Sequence, residues 1–122
     1  MDLALSARKE AAMTAPVRVD LGALADQHSA LAAESPHGRS AHLLLHDGVL
    51  RQTVIALTAG SSLDEHNAPV AASIQVLRGR VSLTVAGRRQ EAAAGELHGV
   101  PQERHGLLAH EDSVVLLTAV TA

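Results

Sequence analysis

From residue 40 onward the chain is a series of short apolar runs, broken at intervals of about ten residues by Gly, Pro or Asp. Ala41 to His46 and Val49 to Thr58 flank His46-Asp47-Gly48, a strong hairpin signal. Ser73 to Leu77, Val81 to Val85 and Val114 to Val120 are rich in β-branched residues and leucine. Arg78-Gly79 and Ala86-Gly87 supply turns between them. Such punctuation suits an all-β sandwich or barrel and disfavours alternating strands and helices. Periodicity alone does not choose between the two all-β forms.

One helix precedes these runs. Leu21, Leu24, His28 and Leu31 recur at helical spacing, and Asp20 is placed to cap the first turn. The helix is expected over about 20–34, because Ser35 precedes Pro36 and is pushed out of helical geometry. Residues 1 to about 16 read as a disordered lead, with Met13 as an alternative start. Residues 17–122 read as one domain, with the strands over about 40–121.

Composition narrows the partners. The 122 residues include no Phe, Tyr or Trp, so the core is built from Leu, Val, Ile and Ala. The same absence removes stacking platforms for bases. The net charge is −3 and the ten Lys and Arg are scattered, so no basic stripe tracks a phosphate backbone. No nucleic-acid partner is expected, and no segment has the size of a helix-turn-helix beside the strands. There is no cysteine, which excludes disulfides, thiolate catalysis and sulfur-ligated metals. Charges interrupt the amino terminus where a signal peptide is apolar, and no run approaches the roughly 20 apolar residues of a membrane span. A cytoplasmic protein without a membrane partner is the expectation.

Two glycine-delimited segments carry the chemistry. The first runs from Gly60 through His66 to Gly79, and the second from Gly95 through His98 and Pro101 to His105. Together they resemble the two sequence motifs of the cupin family, small antiparallel β-barrels that often hold a divalent metal. In that family the first motif reads glycine, five residues, His-x-His, three or four residues, glutamate, six residues, glycine. Here His66 and Gly79 fall at the matching distances from Gly60, but Ala68 stands at the second histidine position and Ala72 at the glutamate position. In the second motif Gly95, Pro101 and His105 match, with Glu103 replacing a glycine and the histidine one residue early. Fifteen residues separate Gly79 from Gly95. Glu111 to Thr118 resembles the turn and last strand of compact bacterial cupins.

The resemblance implies a small jelly-roll-like cupin β-barrel with a short amino-terminal helix and a degenerate metal-ligand set. Residues two apart on a strand share a face, so a His-x-His pair points both rings inward. Of the implied ligands His66 and His105 remain. His98 is the candidate third, since it shares strand parity with Val100, a position that faces inward in such barrels. The candidate metal set is therefore His66, His98 and His105, for Fe, Mn, Ni, Zn or Cu, at most a weak or atypical site, with no metal as the alternative. Ala68 and Ala72 leave room and an apolar wall, so His66, Ala68, Ala72, Ile74, His98 and His105 are the candidate ligand-binding residues. The expected function is binding of a small organic ligand inside the barrel. The alternative is an enzyme, either a metal-dependent oxygenase or isomerase or a metal-free acid–base catalyst using His66 and His105.

The remaining histidines and the glutamates beside the motifs read as surface residues, His28 excepted. His37, His42, His46 and His110 lie in or beside turn-like segments, and His28 falls on the apolar helical stripe as a satisfied, partly buried residue. Glu65 and Glu103 alternate away from the motif histidines, and Gln75 alternates away from Ala72, Ile74 and Val76. The facing of Gln52 is open. No arginine cluster marks a phosphate or carboxylate pocket, and Arg51 or Arg104 are the arginines that could reach one. Apolar strands with exposed edges point to a homodimer, as does the cupin resemblance.

Overall fold

The computed structural model describes residues 17–121, apart from the side chain of His66. The proposed lead lies outside the described residues. Helix α1 runs Leu21–Glu34, with the Asp20 side chain accepting a hydrogen bond from Ala23 N at 3.1 Å. It ends at Ser35, which is extended as the residue before proline requires.

Nine strands follow: β1 Arg39–Asp47, β2 Leu50–Leu57, β3 Ser62–His66, β4 Ala71–Arg78, β5 Arg80–Val85, β6 Arg88–Ala93, β7 Leu97–Val100, β8 His105–Ala109 and β9 Ser113–Val120. They form a five-stranded sheet in the order β1-β2-β9-β4-β7 and a four-stranded sheet in the order β3-β8-β5-β6. Every pairing is antiparallel. The β5–β6 hairpin turns on Ala86 and Gly87, both at positive φ, which matches the twist of the flanking strands.

The expected barrel takes the form of two packed sheets without continuous closure. Strands β6 and β7 end their sheets without pairing to each other, as do β1 and β3. Side chains bridge both seams instead. His98 on β7 meets Gln90 on β6 at 2.8 Å, and Arg39 on β1 reaches the Ser62 carbonyl on β3 at 3.5 Å.

Strand alternation divides the apolar residues into two clusters. Ile55, Leu57, Ile74, Val76, Val81, Leu83, Val85, Leu107 and Val115 pack between the sheets. Val54, Ala56 and Val114 point the other way and pack under Ala25 and Ala32 of the helix. The five-stranded sheet is thus covered on both faces, and with no aromatic residue each layer is filled by small aliphatic groups. His28 joins the helix-side layer, buried, with its Nδ1 2.7 Å from Ser40 Oγ and its ring stacked on that of His42.

Candidate functional site

Register builds the site. On β2 the helix-side residues are Val54 and Ala56, so Arg51 and Thr53 share the inner face with Ile55. Across the five-stranded sheet the pairings align Thr53, Leu117, Ile74 and His98 in one inward rung. They align Arg51, Ala119, Ala72 and Val100 in the next rung toward one end. The four-stranded sheet presents Leu63, Leu107, Leu83 and Gln90 in one rung. Its adjacent rung places His66, His105, Val85 and Arg88 in register.

Between these rungs lies a pocket of about 140 Å³ lined by Ile55, Leu63, Ile74, His105, Leu107 and Leu117. Among the described lining residues His105 is the polar one, and it is buried. Its Nδ1 lies 3.0 Å from the Glu103 carbonyl, which can only accept, so Nδ1 carries the proton. In the neutral ring the lone pair therefore sits on Nε2. The backbone pairs His66 with His105 directly, past a β-bulge that separates His66 from Leu63.

The other sequence candidates fall in different places. Ile74 lines the pocket, and Ala72 packs against the same core one rung nearer the mouth. Ala68 lies in the loop between β3 and β4. His98 shares an inward rung with Ile74 but sits at the β6–β7 seam, outside the pocket lining. Its Nε2 lies 3.0 Å from Glu96 Oε1 and its Nδ1 2.8 Å from Gln90 Nε2, so both nitrogens are engaged. The Ala93 amide, and then His98, hold the Glu96 carboxyl below its ordinary range.

Two arginines need separating. Arg104 is tied to the Glu65 carbonyl at 2.9 Å and to Asn67 at 3.2 Å, pinning the loop after β3 to the start of β8. Arg51 sits on the inner face, and its Nε is buried without a hydrogen-bond partner. Gln52 faces the helix side, donating to Thr118 Oγ1 at 3.1 Å.

Two of the positions that the motif resemblance assigns to metal ligands are alanine. Ala68 and Ala72 offer no donor atom, and His98 is occupied at the seam. Among the described residues no three His, Cys, Asp or Glu side chains group together. The pocket suits an apolar body with one polar contact, which is the usual balance of a small-molecule site. Sequence reasoning found Ile74 and His105 but missed Ile55, Leu63, Leu107 and Leu117. Their strand parity was the available signal, and it becomes readable only once the register is known.

No family model matches the sequence, and no curated protein matches it. Solved structures do. A conserved protein of unknown function from Streptococcus pyogenes is 25% identical at a TM-score of 0.66, with 72% of this chain and 78% of that chain covered. A cupin superfamily protein from Desulfitobacterium hafniense is 13% identical at a TM-score of 0.64, covering 69% and 78%. The salicylate 1,2-dioxygenase of Pseudoaminobacter salicylatoxidans, solved with gentisate, is 17% identical at a TM-score of 0.69, covering 84% of this chain but 32% of that one. With its two antiparallel sheets, the helix Leu21–Glu34 covering one of them and these neighbours, the chain has the cupin fold.

Proposed function

We propose that this protein binds a small organic ligand between its sheets, with His105 making the polar contact. The observation that carries the reading is the pocket of about 140 Å³, whose described lining is apolar except for the buried His105. An engineered apolar cavity of about 150 Å³ binds benzene, so the ligand body is of that order of size. A neighbour of this fold, the salicylate dioxygenase, was solved with gentisate, itself a small organic molecule. The test is a panel of short-chain and single-ring acids, amides and alcohols, scored by ligand-observed NMR against the parent and Leu117→Phe. Binding by some members, lost in Leu117→Phe, is expected. A panel with no binder, or binding indifferent to Leu117→Phe, counts against the pocket.

A second reading is metal-free acid–base catalysis by His66 and His105, supported by their direct backbone pairing and by the tautomer of His105. A metal-dependent oxygenase or isomerase would need donors that the described residues do not bring together. A homodimer through sheet edges belongs to the same proposal, supported by exposed Leu43 on β1 and Leu97 on β7, the two edges of the larger sheet. Sedimentation of the parent and Leu97→Arg tests it. Among the described residues no helix is long and apolar enough to cross a membrane.

A further inference from the structure

One buried guanidinium nitrogen lies on the inner face one rung beyond the pocket lining, and it bears on the ligand's class. A buried donor without a partner is costly, and native structures leave few of them. Arg51 Nε is such a donor. None of the described ion pairs includes Arg51. The alternation of β2 places it on the inner face, one rung beyond Thr53, whose register partner Leu117 lines the pocket. One rung along a strand is about 7 Å, within the reach of an extended arginine side chain.

The surroundings are complementary to an anion. The rung of Arg51 runs from His46 on β1 through Ala119, Ala72 and Val100, which beyond His46 are small or apolar. The rung at the same end of the other sheet holds His66, His105, Val85 and Arg88. Neither rung contains a carboxylate, so nothing on them neutralises Arg51. An apolar pocket and, one rung beyond it, a guanidinium with no carboxylate on its rung are complementary to an amphiphile: a compact hydrocarbon body ending in a carboxylate. A guanidinium fork matches a carboxylate with two parallel hydrogen bonds.

Resting on the pocket reading above, we infer that the protein recognises small apolar monocarboxylates, with Arg51 binding the carboxylate while the pocket holds the hydrocarbon. Ala119, paired directly with Arg51, and Ala72 beyond it add little bulk to that rung, which leaves space for the carboxylate. Arg104, held by Glu65 and Asn67, plays no part in this contact.

Two probes of matched shape, hexanoate and hexanamide, separate the inference from the reading on which it rests. Calorimetric titration of the parent is expected to favour hexanoate by at least tenfold. In Arg51→Met that preference falls to near unity while hexanamide binds as before, and Arg51→Lys restores part of it. Equal binding of the two probes by the parent overturns the carboxylate assignment and leaves the pocket standing. Unchanged hexanoate preference in Arg51→Met does the same. Binding of neither probe by the parent overturns the pocket reading for ligands of this size, and the inference with it. The comparison within the parent needs no variant to fold.

Discussion

His98 on β7 and Gln90 on β6 hydrogen-bond at 2.8 Å, side chain to side chain, across a seam where the two sheets share no backbone ladder. Both residues point inward by register, His98 opposite Ile74 and Gln90 opposite Leu83. The histidine therefore links two sheet edges. The same ring is held from the other side by Glu96, whose carboxylate also accepts from Ala93 N at 3.0 Å.

Replacing His98 or Gln90 by alanine is expected to cost about 1 kcal/mol each, the ordinary net worth of such a bond. The double variant should cost less than the sum, because the shared bond is lost only once. Urea denaturation measures all three. Faster amide exchange confined to β6 and β7 is expected alongside. Strict additivity would contradict the link.

Gly79 is the glycine that tolerates substitution least. It takes φ +80°, and a methyl group there would collide with Ser113 and the Asp112 carbonyl. Ser113 is buried and its hydroxyl binds both the Arg80 amide and the Glu111 carbonyl, so it cannot move aside freely. Gly79→Ala is expected to destabilise by about 3 kcal/mol, of which left-handed backbone strain contributes about 1–2 kcal/mol. Thermal denaturation checks this, with Gly87→Ala as a comparison in which only the strain applies.

His28 makes the helix contact sensitive to acid. Burial, and then the neighbouring His42, lower its pKa from an unfolded value near 6.5. The folded state therefore favours the neutral ring, while the unfolded chain takes up a proton first. The stabilisation is complete above pH 6.5 and declines as pH falls through the lowered folded value. His28→Gln should flatten that decline between pH 7.5 and 5 in a series of thermal midpoints. An identical pH profile in parent and variant would contradict the assignment.

Much of this fold was legible before any coordinates. The Asp20 cap, the stop at Ser35-Pro36 and the Gly-marked hairpins follow from local chemistry that residues carry with them. Strand β6 is a different case. Its Arg-Arg-Gln-Glu-Ala-Ala sequence has no apolar alternation, because its inner face at a seam is filled by Arg88, Gln90 and Ala92. The site was half legible for the same reason. Motif spacing located His105 and Ile74, while His98 showed its inward parity but not that the sheet ends there. Arg51 was a bare candidate until register placed it above the pocket.

Metal content follows from the donor set. After incubation with Fe, Mn, Ni, Zn or Cu and desalting, tag-free protein should retain well below one equivalent by mass spectrometry, since two ligands hold a metal weakly. The Ala68→His, Ala72→Glu double variant should retain more. One equivalent in the parent, lost in His66→Ala, His105→Ala, would contradict this reading and favour the metalloenzyme.

The central claim is that the space between the sheets is a ligand site, and a methyl and imidazole NMR titration with hexanoate addresses it most directly. The account predicts saturable shifts in the methyl groups of Ile55, Ile74, Leu63, Leu107 and Leu117 and in the ring of His105. Shifts confined to other residues, or none up to the solubility of the probe, would contradict it.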